Sequence, residues 1–161
     1  MILFGQNMQS SGQICNLTNQ LQAAAKSSAY QIPLFIATDQ EGGTVWRMPR
    51  ATNGPGNMAL AATGDPANAQ IFGSIFGSEL ASVGINVNFA PDADVNNNPS
   101  NPVIGVRSFS DDPNMTATYT QAYIAGLHGT NTIATLKHFP GHGDTATDSH
   151  YGLPTINKSL A

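Results

Sequence analysis

The residues best suited to chemistry are crowded into one loop, at positions 137–150, which reads KHFPGHGDTATDSH. Three of the four histidines of the chain lie in this loop. Asp148 and His150 are two residues apart, so the carboxylate can accept a hydrogen bond from one ring nitrogen and raise the basicity of the other. Such a pair could work as a general acid and base near neutral pH. The same residues could equally cap local backbone, and their spacing alone does not separate the two interpretations.

The same loop offers possible metal ligands. His138 and His142 have the H-x₃-H spacing of zinc ligands, and acidic residues follow them. Zinc motifs of this kind normally lie on a regular helix, whereas Pro140 and two glycines break this segment. Lys137, next to His138, would also oppose a cation. Metal binding is therefore a minor alternative, and we expect no cofactor.

A second polar segment, residues 36–47, reads IATDQEGGTVWR and follows an apolar run. Asp39 and Glu41 are paired carboxylates at a predicted strand end, a pattern that suggests glycoside hydrolysis. A lone carboxylate in that place could instead accept hydrogen bonds from substrate hydroxyls. Arg47 is a candidate ligand donor, although a single surface arginine is more often only solvated.

A third polar segment, residues 88–109, reads NFAPDADVNNNPSNPVIGVRSF. Its charged members are Asp92, Asp94 and Arg107. We expect the two aspartates to brace the end of a strand structurally rather than to take part directly in catalysis.

Apolar runs that alternate with amphipathic helices must position these segments. Strands are predicted at residues 2–4, 33–37, 85–89 and 132–136, and helices are predicted to begin at Ser10, at Asp65-Pro66 and at Asp112-Pro113. This alternation predicts an α/β fold with parallel strands, in which functional residues gather at the carboxyl ends of the strands. About four βα units amount to roughly half of a (β/α)₈ TIM barrel.

Composition narrows the possible partners. The 161 residues include 40% hydrophobic but only 10% charged residues, against about 25% charged in typical soluble domains. A net charge of −4 with six Lys and Arg argues against nucleic acid as a partner. No apolar run is long enough to span a membrane, and the first residues, MILFGQNM, predict a buried strand rather than a signal peptide. Cys15 is the single cysteine, which excludes an internal disulfide framework.

The three polar segments together resemble the bacterial β-N-acetylglucosaminidases of glycoside hydrolase family 3. The resemblance is carried by KHFPGHGDT followed by DSH, by DQEGG upstream, and by APDADV and RSFSDDP between them in the same order. It covers nearly the whole chain. It implies a single (β/α)₈ domain, of which residues 1–161 are one part, and hydrolysis of terminal β-linked N-acetylglucosamine with retention of configuration. The substrates would be peptidoglycan fragments or chitin-type sugars.

The resemblance also implies residue roles. Asp148 and His150 match the acid/base dyad of the family, and His142 and Asp144 would mostly shape the loop. The glycone-binding residues of the family match Asp39, Arg47, Arg107, Lys137 and His138.

The resemblance further predicts that these 161 residues are inactive alone. The nucleophile of the family is an aspartate on a later strand, and no residue here matches its motif. The open sheet edges predict self-association. Two alternatives stay open: a phosphorylase that uses the same site, and a remnant that binds N-acetylglucosamine without cleaving it. Localisation, whether cytoplasmic or exported, does not follow from the sequence.

Overall fold

The computed structural model describes residues 1–156. Its strands have two residues each. The strands are β1 (Ala37–Thr38), β2 (Val87–Asn88) and β3 (Ile133–Ala134), and the helices are α1 (Ser11–Lys26), α2 (Asn57–Ala61), α3 (Pro66–Ser82) and α4 (Pro113–His128). A 3₁₀ turn covers Gly105–Arg107.

The sheet is parallel and its strands lie in chain order. β2 is central, with Ala37 opposite Val87 on one side and Val87 opposite Ile133 on the other. A parallel bridge from Ile2 to Ala37 places the first segment of the chain beside β1, at the outer edge of the sheet. Consecutive parallel strands joined through helices are the units of a (β/α)₈ barrel. The predicted fold class, an α/β fold forming part of such a barrel, is confirmed.

The strand before the first polar loop begins later than the predicted range 33–37. The side chain of Asn86 takes the place of a neighbouring strand there: its Oδ1 accepts the Ile36 amide at 2.8 Å, and its Nδ2 donates to the Leu34 carbonyl at 3.1 Å. Regular ladder bonds therefore start only at Ala37, directly before the site.

The helices begin where the capping residues predicted. Asp65 accepts the Ala67 amide at 2.9 Å, and Asp112 accepts the Met115 amide at 2.7 Å. Each such cap stabilises a helix by about 1 kcal/mol. Ser10 caps α1 through the Gln13 amide, whereas the Gln13 side chain accepts the amide of Gln9 rather than that of Ser10.

The helices cover one face of the sheet. α3 and α4 approach so closely that a Cβ at Gly126 would lie 2.1 Å from the Gln70 carbonyl oxygen. The opposite face is apolar and open, with a cleft of about 290 Å³ lined by Met1, Ile2, Phe35, Ala37, Val87, Phe89 and Ile133. Within residues 1–156, no helix is long and apolar enough to cross a membrane.

Candidate active site

The three polar segments meet at the carboxyl ends of the strands. A parallel bridge between Asp92 and Lys137 continues the pairing of β2 with β3 beyond their ends. Asp39 follows β1 directly, so its carboxylate reaches Lys137 Nζ at 2.8 Å although the residues are 98 positions apart. The parallel topology is what brings these distant segments together.

Glu41 is the centre of an ion-pair network at this edge. Its side chain is 2% exposed, and both of its oxygens accept from Arg107, at 2.8 Å from Nη2 and 3.0 Å from Nε. Lys137 Nζ contacts both Glu41 and Asp39. Burial lowers the pKa of Arg107, but the hydrogen bonds that Arg107 donates to Glu41 outweigh burial and raise that pKa above its ordinary value. Two carboxylates thus balance two cations, which favours a binding role over a pair of catalytic carboxylates for Asp39 and Glu41.

Asp94 orients His138. The Asp94 Oδ2 atom lies 2.6 Å from His138 Nδ1 and also accepts the His138 backbone amide at 3.2 Å. Burial raises the pKa of Asp94, but hydrogen bonds from His138 and His142 outweigh burial, so the pKa is lowered and the carboxylate stays ionised. A carboxylate only accepts, so Nδ1 carries the proton. His138 Nε2 is then the acceptor that faces Arg107 Nη2 at 3.3 Å.

Asp92 is buried behind this pair. It is 0% exposed; its Oδ1 accepts the Asp94 amide at 2.9 Å, and its Oδ2 has no hydrogen-bond partner among residues 1–156. Burial first, and then the charge of Asp94, raise the pKa of Asp92 to about 8. This carboxyl is therefore protonated at neutral pH.

Asp92 is expected to make stability fall as the pH rises. Because the pKa of Asp92 is raised in the folded state, the contribution of its protonated form to stability is complete below about pH 4, the pKa in the unfolded chain. That contribution is lost as the pH rises toward 8. Asp92→Asn stays neutral, so at pH 8 it should be more stable than the wild type by several kcal/mol. At pH 4 the two should unfold alike.

Thermal unfolding at pH 4, 6 and 8 measures this, at about 2–4 °C per kcal/mol. Asp111→Asn, at an exposed carboxylate, is the matched control and should show no pH-dependent difference from the wild type. An Asp92→Asn protein that is less stable than the wild type at pH 8 would contradict a buried neutral carboxyl.

Asp148 and His150 form the contact that their spacing predicts. Asp148 Oδ1 accepts the His150 amide at 2.9 Å and lies 2.6 Å from His150 Nδ1. The first of these bonds, and then the second, lower the pKa of Asp148. Because Asp148 is ionised, His150 Nδ1 is the donor and Nε2 is left to exchange a proton with a ligand. The His150 side chain is 74% exposed.

A cavity of about 430 Å³ joins these groups, a volume that suits a sugar-sized ligand. Of the residues predicted from the sequence, it is lined by Asp39, Arg47, Arg107, Lys137, His138 and His150, together with Glu41 and His142. Asp148 does not line this cavity. Arg47 Nε is buried without a hydrogen-bond partner among the described residues.

Glu41 and Asp94 are the contributors that sequence reasoning underestimated. Asp94 was expected only to brace a strand end, yet it sets the tautomer of His138. The sequence did contain a signal for the role of Asp94. In neighbouring parallel strands, the segment with Asp92 and Asp94 is expected beside Lys137 and His138.

The alternative metal site is not favoured by the geometry. His138 Nδ1 bonds to Asp94, and His142 Nδ1 bonds to Thr145 Oγ1. The ligand atoms of Asp92, Asp94 and His138 do lie within 4.8 Å of one another. However, Arg107 Nη2 is 3.7 Å from Asp92 Oδ2 and would oppose a cation there.

In parallel α/β barrels the active site lies at the carboxyl ends of the strands, which is where the charged groups of this cavity meet. The chain belongs to glycosyl hydrolase family 3, since the sequence model described as the glycosyl hydrolase family 3 N terminal domain matches residues 1–161. The family predicted from the three polar segments is confirmed.

Individual relatives agree. The chain is 51% identical over 162 residues to β-hexosaminidase A of Pseudoalteromonas piscicida, covering 97% of this chain and 27% of that protein. A solved family 3 β-N-acetylglucosaminidase from Paenibacillus sp. str. FPU-7 superposes with a TM-score of 0.93 at 47% identity, covering 96% of this chain and 30% of that one. NagZ from Neisseria gonorrhoeae in complex with N-trifluoroacetyl-D-glucosamine superposes with a TM-score of 0.87 at 34% identity, covering 98% and 47%. The chain thus spans less than half the length of each of these relatives.

Proposed function

We propose that this chain supplies the sugar-binding and proton-transfer groups of a retaining β-N-acetylglucosaminidase. The observation that carries the proposal is that the Glu41-centred ion pairs and His150 open onto one cavity. The names of the three relatives support this choice of activity and of sugar. We further propose that residues 1–161 belong to one catalytic barrel domain, in keeping with the share of those relatives that they match.

The cavity contains both hydrogen-bond acceptors and hydrogen-bond donors for a sugar. Asp39 presents a carboxylate that is 19% exposed and can accept from two neighbouring hydroxyls. Lys137 and Arg107 are held in place by Glu41 and can donate to sugar oxygens. Charged donors and acceptors fixed before binding make strong hydrogen bonds because little order is lost when the ligand arrives.

His150 moves the proton. As the glycosidic bond breaks, its Nε2–H protonates the leaving oxygen, and the neutral ring later takes a proton from the attacking water. Asp148 holds Nδ1–H throughout and stabilises the imidazolium form of the ring. The attack on the anomeric carbon needs a second carboxylate. Asp39 and Glu41 are already paired with cations, so we propose that another strand of the barrel provides it.

Binding is the first test, since it needs only the groups described above. Lys137→Ala removes one charged donor and should weaken the binding of N-acetylglucosamine about 10- to 100-fold, the equivalent of a charged hydrogen bond. Isothermal titration calorimetry measures the dissociation constants. Lys26→Ala, at an exposed lysine in the last turn of α1, is the matched control and should bind as the wild type does. Equal affinities for all three proteins would contradict the proposed site.

Product analysis separates the related activities. A hydrolase releases free N-acetylglucosamine from a chromogenic N-acetylglucosaminide whether or not phosphate is present, whereas a phosphorylase gives the sugar 1-phosphate. Binding without turnover, once the barrel has been completed, would favour a non-catalytic sugar-binding role.

We also propose that the 161-residue chain self-associates through its open sheet face, because Phe35 (68% exposed) and Ile133 (45% exposed) present apolar area that water disfavours. Light scattering at rising concentration should show dimers or larger species, and Phe35→Ser should shift the protein toward the monomer. Tyr30→Ser, at an exposed aromatic outside this cleft, is the control. A monomeric wild-type chain would contradict the idea.

A further inference from the structure

The dyad loop, residues 137–150, carries the Asp148–His150 pair. Its middle, residues 142–145, is held by two asparagines from the loop after β2. Asn101 Nδ2 donates to the His142 carbonyl at 2.7 Å and to the Gly143 carbonyl at 3.3 Å. Asn98 Nδ2 donates to the carbonyls of Asp144 and Thr145, at 3.2 and 3.1 Å. Two side chains thus donate to four consecutive carbonyls, of which the His142 carbonyl also accepts from the amide and hydroxyl of Thr145. Buried carbonyls need such partners.

The two side-chain amides cannot be flipped, because their oxygens already accept hydrogen bonds from backbone amides. Asn98 Oδ1 accepts the Ser100 amide at 2.9 Å. Asn101 Oδ1 accepts the amides of Val103 and Ile104, at 2.9 and 2.7 Å. These turns aim each Nδ2 at the dyad loop and settle which end of each amide is the donor.

Close packing also holds the loop after β2 against residues 142–145. A Cβ on Gly143 would lie 1.8 Å from the Val95 carbonyl oxygen, so only glycine lets the two loops approach this closely. The His142 amide donates to Asp94 Oδ1 at 2.5 Å, and the His142 side chain is 7% exposed. The middle of the dyad loop is therefore attached to the same aspartate that orients His138.

The dyad itself has no comparable anchor. Within residues 1–156, the hydrogen bonds of 148–152 are all local: His150 bonds to Asp148, and the amides of Tyr151 and Gly152 donate to the Asp148 carbonyl. The side chain of His150 is also largely exposed. The position of His150 over the cavity therefore depends on how residues 142–145 are held.

We infer that Asn98 and Asn101 are positioning residues for the Asp148–His150 pair, which places the acid/base group over the sugar. This inference rests on the proposed function. It assigns a role to the NNNPSNP segment, which sugar binding and proton transfer leave unused. Neither asparagine lines the cavity, so the sugar-binding groups should work without them.

Replacing asparagine by aspartate removes only the Nδ2 donor, so it tests the hydrogen bonds to the dyad loop separately from the local turns. Asn98→Asp and Asn101→Asp keep the Oδ1 acceptors of the local turns but replace Nδ2 by an oxygen that faces carbonyls. Asn97→Asp, at the exposed neighbour, is the matched control for added charge. Circular dichroism checks folding, and the single variants are used if the double variant does not fold.

The readouts are the dissociation constant of N-acetylglucosamine and the NMR signal of the His150 ring in the 161-residue chain. The double variant should bind the sugar within a factor of about two of the wild type. Addition of the sugar should shift the His150 signal in the wild type and in Asn97→Asp, but not in the double variant. Amide exchange at residues 148–152 should be faster in the double variant.

A double variant with wild-type His150 response and wild-type amide exchange would overturn the inference. So would Asn101→Ala disturbing the dyad while Asn101→Asp does not, since the turn and not the donor would then matter. If the wild type binds no sugar, the proposed function fails, and amide exchange alone decides on the asparagines. In a catalytically complete barrel, kcat should fall about 10- to 100-fold with KM unchanged.

Discussion

Replacing His150 by alanine is expected to lower kcat by about 10²- to 10⁴-fold, because this residue is the proposed proton donor and acceptor. The measurement needs a complete barrel. A chimera that carries this chain in place of the matching segment of the Pseudoalteromonas piscicida relative provides one, given 51% identity over 162 residues. The 161-residue chain alone should show no turnover, since the carboxylates in its cavity are paired with cations.

Substrates with different leaving groups show whether protonation of the leaving oxygen is the step that is lost. A dinitrophenolate leaves without being protonated, so His150→Ala should slow the cleavage of a dinitrophenyl glycoside far less than that of an alkyl glycoside. Asp148→Asn keeps the shape of the dyad but removes the charge that stabilises the imidazolium form, so it should slow the alkyl glycoside too.

His128→Ala, at an exposed histidine at the end of α4, is the matched control and should be fully active. Equal losses for good and poor leaving groups would contradict an acid/base role for His150. Turnover by the isolated 161-residue chain would contradict the proposed external nucleophile.

Replacing Glu41 by glutamine is expected to have the other large effect. Glu41 is 2% exposed and accepts from Arg107 and Lys137 together, so the variant leaves two largely buried cations with one partner fewer. Breaking a buried ion pair costs about 3–5 kcal/mol. Binding of N-acetylglucosamine should fall at least as far as in Lys137→Ala, because both donors lose their orientation.

Urea unfolding and calorimetry measure the two effects. Glu79→Gln is the matched control, since Glu79 accepts from Thr52 on the surface, remote from the cavity. That exchange should cost less than about 1 kcal/mol and leave sugar binding unchanged. Equal stability of Glu41→Gln and Glu79→Gln would show that the network around Glu41 contributes little.

Local features of this protein follow from its sequence. The caps Ser10, Asp65 and Asp112 act on amides two or three residues away, so their effect does not depend on the rest of the fold. The Asp148–His150 contact spans only two positions and is equally local. The alternation of apolar runs with helices predicted the parallel sheet and, with it, the edge at which the polar segments meet.

The tertiary structure alone decided how the charges are paired. The Arg107–Glu41 and His138–Asp94 contacts join residues 66 and 44 positions apart, and the sequence contains several other candidate partners for each. The interaction of two charges depends on their distance and burial, which only the register of the packed strands sets. The Asp148–His150 contact could thus be predicted from the spacing of the two residues, whereas its place beside the sugar-binding groups depends on contacts between loops that are distant in the chain.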